Sequence, residues 1–238
     1  MMRPESMTSQ FRYGTLLRMK TTKTRLRKTQ DPCTGCRMHQ SYCICSSIPN
    51  IEVPTLLTLV IHAKELKRTS NTGSLSVKAL KNSQIIVRGQ DRTPLDLTQY
   101  LSPDHEPILF YPGPDSVDIK EYLKRRREVA AENLKPIQLI VPDGNWRQAS
   151  KVASRHPELR SLPRVQVSEK NLATQHLRKE HFEQGMSTLE AIACAFHFLE
   201  GPIVGQALKD LYQLKLHRTL QARGQFILDS SVDMRKNL

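Results

Sequence analysis

What most constrains this chain is an alternation of short, strongly apolar runs with segments of helical pattern. Residues 55–62 form a largely apolar run, and so do 108–111 and 137–141, with shorter ones at 84–87 and 164–167. Helical patterns stand between and after them at 74–81, 118–133, 146–155 and 204–222. Ser187-Thr188-Leu189-Glu190 opens a further helix with a capping-box signature, in which Ser and Glu satisfy each other's backbone donors. A strand that is apolar along its whole length is buried on both faces, and parallel strands need helical crossovers. The expected fold is therefore α/β, a mainly parallel sheet with helices on both faces. A chain of 238 residues can bury a sizeable core without disulfides.

The N-terminal fifth departs from this pattern. Residues 1–30 hold eight basic residues against Glu5 alone, within a chain of formal net charge +13. They read as a basic, flexible arm. Such an arm is either a solubilising tail or a nucleic-acid contact, because clustered positive charge attracts polyanions. The run Lys124-Arg125-Arg126-Arg127 is a second concentration, and on a helix it reads first as a solvated face. No apolar run approaches the roughly 20 residues a spanning helix needs. No apolar stretch in residues 1–30 suggests a secretory signal. The expected location is cytoplasmic, with an Arg-rich organelle-targeting segment as the lesser reading.

Four of the five cysteines follow the arm as Cys33-x2-Cys36-x6-Cys43-x-Cys45. Two close pairs of thiols at this spacing suit one tetrahedral zinc ion. Four thiolates close the coordination shell, so the metal is expected to be structural rather than catalytic. Four reduced thiols, or a redox pair at Cys33 and Cys36, are the alternatives. Cys194 stands at helical spacing in an apolar segment and reads as core. The organisation expected is an arm at 1–30, a four-cysteine zinc knuckle at 31–51, and an α/β catalytic domain at 52–238.

In parallel α/β sheets, ligands bind at the carboxyl ends of the strands. Three such ends are polar and turn-rich here: His62 to Gly73, Tyr111-Pro112-Gly113, and Pro142-Asp143-Gly144-Asn145-Trp146. Trp146 is the only tryptophan. A flat indole at a strand-to-helix turn makes one wall of a site for a planar base, or else staples its helix to the sheet. The chain contains no G-x-G-x-x-G, no Walker phosphate loop and no G-x-S-x-G elbow. That argues against the common dinucleotide, nucleoside-triphosphate and hydrolase folds.

Taken in order, these motifs resemble the DTW-domain family, the tRNA-uridine aminocarboxypropyltransferases, and its bacterial branch most. The resemblance covers roughly residues 31–200. It rests on the four cysteines with Pro49; on His62-x2-Glu65 with Arg68-x-Ser70-Asn71-Thr72-Gly73-x-Leu75; and on Tyr111-Pro112-Gly113. It continues with Asp143-Gly144-Asn145-Trp146-x2-Ala149, Leu162-Pro163-Arg164-Val165, and Arg178 followed by Ser187-Thr188-x-Glu190-Ala191. The family signature is of Asp-x-Thr-Trp type, and Asn145 stands at the Thr position.

The resemblance implies a SPOUT-like fold with a C-terminal trefoil knot. It implies S-adenosylmethionine as donor of a 3-amino-3-carboxypropyl group to N3 of a tRNA uridine. The target expected for the bacterial branch is position 47, giving acp3U and 5′-methylthioadenosine. On this reading Asp143 is the candidate base, or the residue that grips the donor's ammonium. Trp146 walls the donor pocket, with Tyr111, Pro112, Gly113 and Leu162 holding the adenosine and methionine parts. Ser187 and Thr188, at a helix N-terminus, suit the donor carboxylate. Arg68, Arg147, Arg178 and Lys179 are candidates for tRNA phosphates. His62 and Glu65 support the site. The partners expected are tRNA and the donor, with no membrane and no obligate protein partner. A methyltransferase of the same superfamily and a non-catalytic zinc-knuckle RNA-binding protein are the competing readings.

Overall fold

The computed structural model describes residues 31–90, 95–129, 133–168, 177 and 185–225. The basic arm expected at 1–30 lies outside them, as do Arg178 and Lys179. Six strands, β1 (Leu56–His62), β2 (Ser83–Arg88), β3 (Glu106–Phe110), β4 (Val117–Asp118), β5 (Ile137–Asp143) and β6 (Arg164–Gln166), form one sheet in the order β2-β1-β5-β3-β6-β4. Every neighbouring pair is parallel. The helices are α1 (Ala63–Leu66), α2 (Gly73–Ala79), α3 (Ile119–Val129), α4 (Trp146–Arg155), α5 (Pro157–Arg160), α6 (Thr188–Glu200) and α7 (Pro202–Ala222).

Side chains alternate across a pleated strand, and each sheet face has its own core. Leu57, Leu59 and Ile61 of β1 point into one apolar cluster with residues of α2, α3, α6 and α7. Val60 points into the other, with Ile86, Leu109 and Ile140 and with Val152, Ala153 and Leu159 of α4 and α5. Helices thus cover both faces, as the apolar strands require. The cysteine-rich segment contributes Cys36, Met38 and Ile44 to the first cluster, so it shares the core of the sheet. None of the described helices is long and apolar enough to cross a membrane.

Among the strands and α-helices, three have no counterpart in the sequence pattern: β4, α1 and α5. Each is two to four residues long, which is shorter than one repeat of the periodicity that reveals an element. The helix expected at 118–133 is described only as far as Val129, and Asn133 has a left-handed φ of 66°. Such a conformation ends helices rather than continuing them.

β5 sets the position of the site. It lies between β1 and β3, all seven of its residues are buried, and its last residue is Asp143. The strand ends of β1, β5 and β3 therefore sit side by side.

Candidate active site and cysteine cluster

Asp143 is 5% exposed, and its two carboxylate oxygens are held by different parts of the chain. The Asn71 side-chain amide donates to Oδ2 at 2.7 Å, and the Thr188 hydroxyl donates to Oδ1 at 2.5 Å. Asn71 is itself oriented by α2. Its Oδ1 accepts from the Ser74 amide at 3.0 Å and the Ser74 hydroxyl at 2.7 Å, which turns the NH2 group toward Asp143. Gly73 lies against the carboxylate so closely that a Cβ there would stand 2.6 Å from Oδ2. The backbone N–H of Leu189 donates to Thr72 Oγ1 at 3.3 Å, joining the start of α6 to the start of α2. Three segments that are remote in sequence meet at one carboxylate.

The turn after Asp143 is closed by a capping box. Asn145 Oδ1 accepts from the Gln148 amide at 2.9 Å, and Gln148 Oε1 accepts from the Asn145 amide at 2.8 Å. Asn and Thr are both good N-caps, which accounts for Asn at the Thr position of the signature. The cap starts α4 at Trp146, which is 44% exposed. Its ring meets that of Tyr111, at the end of β3, edge-on at 6.2 Å between centroids. The loop after Tyr111 is tight. The Gly113 amide donates to Ser116 Oγ at 3.1 Å, and a Cβ on Gly113 would lie 2.7 Å from Arg164 Nη1. Arg164 pairs with Asp115 at 2.6 Å. Pro112 is exposed at the rim. Leu162 packs, with Tyr111, against the core on the α4 and α5 face.

Ser187 caps α6, with Oγ accepting from the Glu190 amide at 3.4 Å, and Glu190 Oε2 accepts from the Ser187 amide at 2.9 Å. The Thr188 hydroxyl thus donates within the protein, and the Ser187 oxygen accepts the cap bond. His62 caps α1 by accepting from the Lys64 amide at 3.1 Å. Burial, followed by the cations Arg88, Lys64 and Lys151, holds its imidazole below the ordinary value. Arg68 is half exposed and pairs with buried Glu65 at 3.2 Å. Arg147 is exposed on α4.

The cysteine cluster fits a metal. The sulfur atoms of Cys33, Cys36, Cys43 and Cys45 all lie within 4.8 Å of one another, with close pairs at 3.5, 3.6 and 3.8 Å. A tetrahedron with Zn–S bonds of about 2.3 Å has sulfur–sulfur edges of about 3.8 Å. Gly35 is required here, since a Cβ would stand 2.5 Å from Cys45 Sγ. Backbone N–H groups of Cys36 and Gly35 pull the Cys33 thiol down to about 6. Burial and the neighbouring sulfurs push Cys45 up to about 12. Four sulfurs this close ionise together only beside a compensating cation.

Lys215 of α7 is a site residue that the sequence reading missed. It is 0% exposed, and its ammonium donates to the Cys36 carbonyl oxygen at 3.0 Å. The available signal was a lysine in register with the buried Leu208, Leu211 and Leu220 of one helix face.

A parallel α/β domain, with a thiol cluster built into its core and a buried carboxylate at the end of its central strand, is the class defined by fold and site. The DTW domain matches residues 30–220, and the chain belongs to that family. It is 23% identical over 222 residues to tRNA-uridine aminocarboxypropyltransferase 2 of Macaca fascicularis, covering 87% of this chain and 67% of the relative. The protein of the same name from Mus musculus is 24% identical over 209 residues, covering 85% and 65%. tRNA-uridine aminocarboxypropyltransferase A of Arabidopsis thaliana is 28% identical over 191 residues, covering 68% and 69%. The chain thus spans about two thirds of the length of these relatives. No solved structure matches it.

Proposed function

We propose that this protein transfers the 3-amino-3-carboxypropyl group of S-adenosylmethionine to N3 of a tRNA uridine, giving acp3U, with position 47 as the expected target. The observation that carries the reading is the convergence of Asn71, Gly73 and Thr188 on Asp143, beside the Tyr111–Trp146 ring pair. Membership of the DTW family and the names of the relatives support it. The strand order, in which β5 inserts between β1 and β3, is compatible with the SPOUT-like, knotted arrangement that belongs to this reading. A structural zinc at the four cysteines belongs to it as well.

The donor is a cation at sulfur and carries its own leaving group. Bond formation from uridine N3 to the donor Cγ breaks the Cγ–S bond, the electron pair returns to sulfur, and the N3 proton leaves to a base. The protein's part is to orient two substrates and shed water. The two donors fixed on Asp143 hold in place a carboxylate whose charge suits the donor's cationic groups. Trp146 and Tyr111 offer aromatic faces and edges for the adenine or the uracil.

The test is to incubate the full chain with tRNA and S-adenosylmethionine and to analyse nucleosides and small products by mass. The expected products are acp3U and 5′-methylthioadenosine. S-adenosylhomocysteine with a methylated nucleoside would replace this reading by methyl transfer. Tight tRNA binding without product would leave a binding protein. Asp143→Asn is expected to weaken donor binding, measured by calorimetry, and unchanged binding with lost turnover would make Asp143 the base instead.

A further inference from the structure

A concave site whose lining does not include Asp143 lies at the carboxyl edge of the same sheet. It is a cleft of about 530 Å3 at the carboxyl ends of β1 and β2, bounded by α4 and the start of α5. Arg88 at the end of β2 and Lys151 and Arg155 on one face of α4 line it, together with His62 and His156. None of the three long cations has a carboxylate partner among the described residues. The two carboxylates in the wall are already engaged. Asp96 Oδ1 accepts from the Thr98 amide at 2.9 Å, and Glu158 Oε1 accepts from the Leu97 amide at 2.7 Å.

Two further observations point to a missing anion. The cations disturb one another: burial and then Arg155 lower the guanidinium of Arg88, and Arg88 and Lys151 add to burial at His62. His156 is 7% exposed, and its Nε2 is buried with no hydrogen-bond partner among the described residues. Buried polar atoms in native proteins are nearly always partnered, and three long cations, none paired to a carboxylate among the described residues, outnumber the two wall carboxylates, Asp96 and Glu158, leaving a net positive cleft that attracts an anion.

We propose that this cleft is the acceptor-strand subsite, in which Arg88, Lys151 and Arg155 hold backbone phosphates of tRNA beside the target uridine. The proposal rests on the tRNA-transferase reading and adds to it where the nucleic acid lies. Its position follows from α4. Trp146 opens that helix, and at about 1.5 Å rise per residue Lys151 and Arg155 stand roughly 8 and 14 Å farther along it. Cations spaced along a helix in an open cleft suit a sugar–phosphate chain better than one small anion. The donor side, at Tyr111 and Leu162, stays clear of them.

The experiment measures tRNA affinity of the full chain across a salt series for the wild type, Lys151→Gln/Arg155→Gln, Arg88→Gln and the charge-keeping Arg155→Lys. Circular dichroism melts check folding, and calorimetry with S-adenosylmethionine checks the donor site. The double variant is expected to bind tRNA at least tenfold more weakly near physiological salt. Its slope of log affinity against log salt should be smaller by about 1.4 to 1.8, because each lost phosphate contact removes about 0.7–0.9. Donor affinity should be unchanged, and Arg155→Lys should stay near wild type. Wild-type affinity and slope in both the double variant and Arg88→Gln would overturn the proposal. So would inorganic phosphate, at matched ionic strength, binding the wild type tightly without displacing tRNA, which would mark a small-anion pocket. A wild-type chain that binds no tRNA would instead overturn the tRNA-transferase reading itself.

Discussion

Replacing Lys215 by methionine separates the two states of the cysteine cluster. A divalent ion with four thiolates carries a net charge of −2, and Lys215 is the buried cation beside it, with its ammonium 3.0 Å from the Cys36 carbonyl oxygen. Burial draws that ammonium down to about 8, against the opposing pull of the Cys36, Cys45 and Cys33 sulfurs. Methionine keeps the length of the side chain among Leu211, Tyr212 and Leu216 and removes the charge. In the zinc-loaded protein, removing one partner of a buried charge pair costs about 3 kcal/mol or somewhat more. At roughly 2–4 °C per kcal/mol for a chain of this size, the melting temperature should fall by about 6–12 °C. In the metal-free protein the thiols of Cys43 and Cys45 are held toward the protonated form and Cys33 is the thiolate that remains near neutral pH, so the buried ammonium has less charge to balance it and the same substitution should cost clearly less than in the zinc-loaded protein. The Cys36 carbonyl loses its donor in both states, so that cost cancels in the comparison. The assay is a calorimetric melt of wild type and Lys215→Met, each zinc-loaded and after chelation. Equal shifts in both states would refute the charge argument and leave Lys215 as a packing residue.

Two further predictions concern the strand ends. Thr188→Val keeps the shape and removes the hydroxyl that donates to Asp143 at 2.5 Å. A hydrogen bond to a charged group is worth about 1.5–3 kcal/mol, and Thr188 is only half buried, so a fall of about 3–6 °C in melting temperature is expected. An unchanged melt would mean that the hydroxyl does not hold Asp143. His62→Asn retains a side-chain acceptor for the Lys64 amide but does not titrate. The folded imidazole of His62 is held below 6.5, so the unfolded chain takes up a proton first, and stability falls as pH drops through about 6.5. Denaturant melts between about pH 5.5 and 7.5, roughly one unit either side of 6.5, should show a flatter profile for His62→Asn than for wild type. Parallel profiles would show that His62 contributes nothing to the pH dependence.

The main elements of the fold were legible because the buried strands are long enough to show. Leu57 to Ile61 and Ile137 to Val141 are buried on both faces and mostly apolar, with Thr58 and Gln138 hydrogen-bonded to each other, which fits a covered parallel sheet. The caps were legible for a chemical reason: Ser187 with Glu190 forms the reciprocal bonds that its sequence announces. The strand order was not legible. That β5 inserts between β1 and β3 depends on crossover paths that local pattern does not encode. The candidate site was legible as three separate polar loops, but their meeting at one carboxylate was not, because Asn71, Asp143 and Thr188 are remote in sequence. Ser187 and Thr188 read as a receptor for a carboxylate ligand through the helix N-terminus; the Ser187 oxygen caps α6, and what the sequence did not show is that the Thr188 hydroxyl also donates to Asp143. Lys215 was hidden by its neighbours, since one lysine barely alters the apolar face of a 21-residue helix.

The cysteine cluster and the carboxylate site are joined by packing rather than by chemistry. A shell of four thiolates leaves a metal no open position, so such a centre acts only through what it holds in place. A metal bound here would hold Cys36, whose carbonyl receives Lys215 of α7, while Cys36, Met38 and Ile44 enter the core that α6 and α7 share. At Gly205 a Cβ would stand 2.6 Å from His197 Cβ, so α7 lies against α6 at a distance that only glycine permits. The first turn of α6 in turn supplies Thr188 to Asp143 and takes Thr72 as acceptor for Leu189. Close-packed interiors transmit displacement because they have little free volume to absorb it. The cluster therefore lies at one end of a continuous packed path, through α7 and α6, whose other end fixes the geometry of Asp143.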